Sequence, residues 1–377
     1  MARLTRAQQQ ARTRASVLAA ARREFVEYGY GPAKVDRIAE RAELTRGAVY
    51  SNFPSKRALY LAVLTDLVES ADAVEPPRRP ESTRDALGAF ARAWLERLPL
   101  AGDTVTEGRL HLRSLVNVID DEPGRAVLAQ VARLEALLLA VALEACEREG
   151  AEPEGAAPDD ATPDDAAPRR VRLAEIVLTL LSGSGMLAEL APGFGDPFDQ
   201  TRACEHLAGL DLADTWAPPY LPYVRPAAAC HDPWTPPHGL SDQITGAPVD
   251  VGVDGLVTVL GARRVGAAEE AVRSARPGEQ LTMVIVTSDP AETGNLIRFR
   301  VGDLVACLRR VFPSRTWRHL RLVIDDAAAV ASAAGLPDVD DETEAAVRVR
   351  DGAIIARAHG RGAAHAVSTI DAVHDTR

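Results

Sequence analysis

Apolar residues recur at helical spacing through the first sixty positions. Val17, Ala21 and Phe25 fall every four residues with Leu18 beside them, which predicts a helix over about 13–28 with one buried stripe. Gly29 stands where a left-handed C-terminal residue is wanted. Val35, Ile38 and Ala39 predict a short second helix over 34–41, followed by a turn at Ala42-Glu43-Leu44. Thr45 can cap a third helix that ends near Asn52-Phe53. Pro54 and Ser55 start a fourth, with Leu59, Ala62 and Val63 facing inward. Pro76-Pro-Arg-Arg-Pro80 interrupts the pattern, which is helical again from about 82 to 215. The segments are 82–98, 104–118, 122–149, 169–190 and 199–213; the run Val127, Val131, Leu134, Leu138, Val141 makes the third the best patterned. The low-complexity run Ala151–Pro168 predicts a disordered surface loop.

After this the grammar changes. Trp216–Gly239 holds seven prolines and reads as an extended linker or a wrapped arm. Beyond it, β-branched runs at 256–260, 281–286 and 320–324 alternate with helical segments at 265–275 and 302–312. Strands at 345–350 and 353–358 flank Asp351-Gly352, a hairpin turn signal, and a helix over 362–373 follows. The order β-α-β-α-β-β-α indicates a small α/β domain with a mixed sheet. The chain is thus expected to be mainly α. A three-helix head (1–64) and a helical body (65–215) lead through a Pro-rich linker (216–244) to an α/β domain (245–377).

Charge sharpens this division. Residues 1–60 carry twelve basic groups against five acidic ones, a net of +7, while the whole chain is −11. Any attraction to phosphates is therefore confined to the head. Both lysines of the chain, Lys34 and Lys56, lie in it. The start lacks an apolar signal core, and no run of eighteen uncharged apolar residues occurs, so neither export nor a membrane span is expected and the location is expected to be cytoplasmic. Cys146, Cys204, Cys230 and Cys307 are widely spaced with no Cys-x-x-Cys pair, the pattern of buried or idle thiols. No cofactor or metal motif is expected.

The stretch 34–53 has the layout of a helix-turn-helix whose second helix enters a DNA major groove. Thr45 caps; Arg46 can reach a guanine edge or a phosphate; Gly47 and Ala48 let the backbone approach; Tyr50 can donate its hydroxyl to a phosphate. Lys34 and Lys56, at the starts of the second and fourth helices, are placed to straddle the DNA backbone, and Asn52 can donate to it. Together with Phe25-x-x-x-Gly29-Tyr30, Val35-x-x-Ile38-Ala39-x-x-Ala42 and Arg46-Gly47-x-x-Tyr50-x-Asn52-Phe53-x-x-Lys56-x-x-Leu59, these residues resemble the N-terminal domain of TetR/AcrR-type repressors over about 10–64. The family's recognition helix maps to Thr45–Asn52. Two positions depart: Glu43 stands where many members have Gly, and Asn52 where His is common. If position 43 takes a positive φ, Glu costs about 1 kcal/mol against Gly.

The resemblance implies that residues 82–215 sense a small-molecule effector and form a homodimer through the last two helices, that the partner is a double-stranded palindromic operator, and that the protein is a ligand-released repressor, not an enzyme. Independently, Val171, Ile176, Val177, Leu180 and Leu181 make an apolar surface broader than one core stripe needs, and Ser182-Gly183-Ser184-Gly185 offers small residues for close helix approach. Trp94, Arg109, His111, Arg113 and Met186 are candidate pocket residues. The element order from Leu256 onward resembles a thioredoxin-like or peroxiredoxin-like fold. The stretch where such enzymes need a low-pKa cysteine is Gly261-Ala262-Arg263-Arg264-Val265-Gly266, which has none, so a redox-inactive domain is expected. The alternatives are a redox-responsive regulator using Cys230 or Cys307, and a DNA-binding head fused to a thioredoxin-like enzyme.

Overall fold

The computed structural model describes residues 5–70, 79–98, 114–151, 169–191 and 193–370. Helix α1 (Arg6–Tyr28) starts seven residues before the expected Thr13. The Thr5 hydroxyl accepts from the Gln8 backbone at 3.2 Å and the Gln8 side chain accepts from the Thr5 N–H at 2.9 Å, a reciprocal cap that carries the helix beyond its buried stripe. Helices α2 (Val35–Arg41), α3 (Arg46–Asn52) and α4 (Lys56–Glu69) follow as the pattern predicts. The body is built from α5 (Thr83–Leu95), α6 (Glu122–Ala151), α7 (Val171–Leu190) and α8 (Pro197–Leu207). Helix α8 stops well short of 213, where Ala208-Gly209 turn the chain. Of the helix expected over 104–118, residues 114–118 are coil and turn, and the rest lies outside the described residues; of the loop expected over 151–168, Ala151 ends α6 and the rest lies outside them too.

The C-terminal third forms a six-stranded mixed sheet in the order β1-β8-β7-β4-β5-β6. Strands β4 (Gly255–Gly261), β5 (Gln280–Val286) and β6 (Leu320–Ile324) are parallel; β7 (Glu344–Arg350) and β8 (Ala353–His359) continue antiparallel from β4. Asp351 and Gly352 both have positive φ, 51° and 71°, as a primed two-residue hairpin requires. Strands β2 (Leu240–Ser241) and β3 (Pro248–Val249) pair separately. Four helices complete the unit: α9 (Ala268–Ser274), α10 (Asn295–Arg309), α11 (Ala329–Ala333) and α12 (Ala363–Thr369). Helix α10 begins seven residues before the predicted 302, because a π turn at Pro290–Gly294 leads straight into it.

Between 216 and 244, where an extended linker or a wrapped arm is expected, the structure shows an edge strand preceded by an arm. Ala228–Pro233 is β1, an edge strand on β8, and proline is tolerated there because an edge leaves one side of the backbone unpaired. The preceding stretch is a pinned arm. Asp214 pairs with Arg273 at 2.7 Å, the Tyr220 hydroxyl donates to buried Glu270 at 2.8 Å, and Arg361 lies over the Tyr220 ring at 4.5 Å.

The sheet's two faces use different side chains. Val257, Val259, Val284, Val286, Val323 and Val347 point to a small core with Trp234, Val330 and Ala334. Leu256, Leu260, Leu281, Met283, Ile285 and Leu322 point the other way, into a core continuous with the body and the head. The period of two along each strand sorts the branched valines from the longer side chains. The α/β unit is thus fused to the helices across one large interface.

Helices α6 and α7 are long and apolar enough to cross a membrane, with best-window mean hydropathies of 1.9 and 1.5. Counting uncharged runs misses them, since α6 carries Arg133 and Glu135. Most of the α6 window is buried within the protein, and Glu135 is satisfied there by Arg300 of α10 at 2.7 Å.

Gly255 opens β4 with φ 151°, and a Cβ there would lie 2.1 Å from the Gln280 carbonyl oxygen. Gly255→Ala is expected to destabilise the protein by about 2 kcal/mol or more, read as a lowered midpoint in urea unfolding.

Candidate nucleic-acid interface

The turn between α2 and α3 depends on Glu43, whose φ is +56°. This left-handed residue lets the Leu44 N–H reach the Ala39 carbonyl at 3.0 Å and redirects the chain into α3. The Thr45 hydroxyl then accepts from the Ala48 N–H at 3.2 Å. Val49 is the buried anchor of α3, and Arg46, Gly47, Tyr50 and Ser51 occupy the opposite, exposed face. Ser51 is not among the contacts expected from sequence, though its spacing from Gly47 places it on that face.

The charged groups on this face are held lightly. Arg46 lies 3.3 Å from Asp36 and 5.5 Å from the centre of the Tyr50 ring. Both carboxylate and guanidinium are about 60% exposed, at 62% and 61%. Water screens such a surface pair, so Arg46 is pre-oriented yet free to exchange Asp36 for a base or phosphate. Lys34 is exposed at the start of α2. Nothing lies nearer than 3.9 Å to where a Cβ on Gly47 would sit, so the backbone there is open to approach.

The unit is tied down from behind by Glu24 of α1, which is fully buried. It accepts from Arg37 at 2.7 Å and from the Lys34 backbone at 3.1 Å, and lies 3.3 Å from Arg41. One carboxylate thus fixes both ends of α2 against α1. Sequence reasoning misses it, since a charge within an apolar stripe gives no sign of its burial.

Two expectations change and one residue is added. Lys56 faces inward: its ammonium donates to the Gly31 carbonyl at 2.9 Å and sits 4.7 Å from the Tyr30 ring centre, and burial lowers its pKa. The turn after α1 carries that carbonyl under α4, a contact no local pattern announces. Asn52 donates to the Ala48 carbonyl at 2.8 Å, so its amide is used within α3. Arg14 donates to the Asn52 carbonyl at 3.3 Å and lies 4.4 Å from the Phe53 ring centre, a cation at the C-terminal end of α3. With Arg6 and Arg12 it belongs to the exposed first half of α1.

The two described pocket candidates, Trp94 and Met186, lie in different surroundings. Trp94 is buried beside Phe90, with Arg97 4.1 Å over its ring. Met186 is 58% exposed on the outer surface of α7, because that turn of the helix faces away from the body. Arg109, His111 and Arg113 lie outside the described residues. Among the described thiols, Cys146, Cys204 and Cys307 are buried. Burial raises the Cys204 pKa to about 11 and that of Cys230 above its ordinary value, the reverse of a reactive thiolate. No metal-binding cluster of His, Cys, Asp or Glu occurs among the described residues, Cys230 and His231 included.

An anchored turn, a capped short helix and an exposed arginine–tyrosine face define a helix-turn-helix head of the kind that reads DNA. Residues 17–63 match the family of bacterial regulatory proteins of the tetR type, so the head is a TetR-type helix-turn-helix domain. The probable HTH-type transcriptional regulator ArpR of Pseudomonas putida is 36% identical over 84 residues, covering 22% of this chain and 40% of that protein. The HTH-type transcriptional regulator TtgR, also of Pseudomonas putida, matches to the same extent. The HTH-type transcriptional repressor AcnR of Corynebacterium diphtheriae is 29% identical over 133 residues, 29% of this chain and 70% of that protein. The chain therefore spans about 40% of the length of the first two relatives. Among solved structures, SmeT, the repressor of the Stenotrophomonas maltophilia multidrug efflux pump SmeDEF, is 20% identical over 52% of this chain and 87% of its own, with a TM-score of 0.29, too low to carry an argument.

Replacing Glu43 by Gly removes the strain of a side chain in the left-handed region. Glu43→Gly is expected to raise stability by about 1 kcal/mol, measured as an upward shift of the thermal midpoint.

Proposed function

We propose that this chain is a cytoplasmic, homodimeric transcriptional repressor that binds a palindromic operator and is released by a small-molecule effector. The observation that carries the reading is the exposed face of α3, with Arg46 and Tyr50 pre-oriented over an open Gly47. The positive head on a negative chain supports it, since only the head attracts phosphates. Lys34, Thr45, Arg46, Gly47, Ala48, Tyr50 and Ser51 are the proposed contacts, with Arg6, Arg12 and Arg14 on the flanking backbone.

A single short helix reads few base pairs, so two heads about 34 Å apart are needed to read a palindrome. Helix α7 offers the surface that would bring them together. Ile176, Leu180, Gly183, Leu187 and Leu190 recur at three- and four-residue steps along its outer side, and Leu190 is 72% exposed. A Cβ on Gly183 would meet nothing within 4 Å, which leaves room for a second helix to approach closely. Phe194 and Phe198, also exposed, extend the apolar surface beyond it. The order of elements from β4 to α12 supports a thioredoxin-like α/β unit. The absence of cysteine between Gly261 and Gly266 supports its being redox-inactive, and so a regulatory rather than an enzymatic role.

Selection of bound DNA from a random pool tests the reading, with an inverted repeat as the expected product. Arg46→Ala combined with Tyr50→Ala should weaken binding to that sequence by roughly a hundredfold in fluorescence anisotropy, at two lost contacts of about 1–3 kcal/mol each. Unchanged specific binding would remove α3 from the interface. Leu187→Glu places a charge in the apolar stripe. It should convert dimer to monomer in sedimentation equilibrium at micromolar protein and lower operator affinity with it.

A further inference from the structure

Helix α4 has no face left for solvent over most of its length: Ala58 to Thr65 are all buried. One flank belongs to the head. Tyr60 packs edge-on against Phe25 with centroids 5.0 Å apart and against Tyr30 at 5.1 Å. The other flank is covered by α10. The Thr65 hydroxyl donates to the Asn295 carbonyl at 3.2 Å, and Gly302 lies so close that a Cβ there would stand 2.9 Å from a Val68 methyl. At the opposite end of α4, Glu292 in the π turn before α10 bonds both to Ser55, the cap of α4, and to Arg57, which also reaches Asp121 next to α6. Residues 292–302 of the α/β unit thus hold α4 at both ends.

The same helix is anchored in the body on its other sides. Asp303 pairs with Arg97, just after α5, at 2.5 Å, and Arg300 with Glu135 of α6 at 2.7 Å; both carboxylates are buried. Removing one partner of such a pair leaves an uncompensated charge, so these contacts set one register for α10 and penalise sliding. Helix α10 therefore fills the groove between α4, α5 and α6 as a ligand would, with apolar burial for affinity and ion pairs for orientation.

We propose that α10 is a resident intramolecular effector. Its seat between α4, α5 and α6 fixes the pose of the helix-turn-helix, and the α/β unit governs operator reading through its grip on α4. This rests on the DNA-reading function proposed above and assigns its regulation to a segment of the chain. A small molecule then acts by loosening α10 from α4, which frees the two heads to change their separation.

The test uses the chain of 377 residues and two variants, Glu292→Ala, which removes the latch on Ser55 and Arg57, and Gly302→Leu, which wedges α10 away from Val68. Hydrogen exchange of the Lys56–Glu69 amides is followed without DNA, and binding is measured to the selected operator with half-site spacing changed by one and two base pairs. Both variants are expected to speed α4 exchange about tenfold and to reduce the preference for one spacing by a similar factor. If Gly302→Leu fails to fold, Glu292→Ala decides alone. A folded Glu292→Ala protein with wild-type exchange in α4 overturns the grip. Faster exchange with an unchanged spacing preference overturns the regulatory role. A wild-type chain that binds no DNA, but whose α4 exchange still answers to Glu292, removes the DNA-reading assignment and leaves the grip standing.

Discussion

The structure is organised by the burial of α4. Its run from Ala58 to Thr65 has no polar face, and a helix that is apolar all round must be enclosed on every side. The head supplies one wall through Phe25 and Tyr30, and α10 of the α/β unit supplies another. Without α10, the flank of α4 at Thr65 and Val68 would lose its cover. The C-terminal third, which looks like an addition when counted by residues, completes the core on which the head rests.

Buried charge does the orienting that apolar contact cannot. Hydrophobic burial is non-directional, so it brings helices together without choosing a register. Glu24 holds α2 against α1, Glu135 and Asp303 hold α10 in the body, and Glu270 holds the arm at Tyr220. In an Arg-rich chain these partners are chiefly guanidiniums, whose planar fork suits buried carboxylates. The exposed Arg46–Asp36 pair stands apart: in solvent it is weak and exchangeable, as the proposed DNA contact requires.

Much of the local structure is legible in the order of residues, because it depends on neighbours a few positions apart. The caps at Thr45 and Ser55, the turn at Glu43, the Asp351-Gly352 hairpin, the strand at 320–324 and the exposed face of α3 follow from spacing and backbone preference. Errors arise where a distant partner decides. Lys56, expected to face phosphates, instead meets Gly31 and Tyr30. Met186, expected in a pocket, stands on the surface. The proline-rich stretch reads as a linker or a wrapped arm and contains an edge strand paired with β8, some 120 residues further on.

Sequence alone therefore pointed to a helix-turn-helix, a helical body and an α/β unit, since periodicity, capping and turn chemistry are short-range effects. Only the tertiary structure decided how these parts bear on one another: that the α/β unit shares a core with the body, that α10 lies along α4, and that Glu292 bridges to Ser55 and Arg57. The reason is physical. Contacts between residues more than two hundred positions apart leave no periodic trace in the chain, and their geometry exists only once the core that buries them has closed.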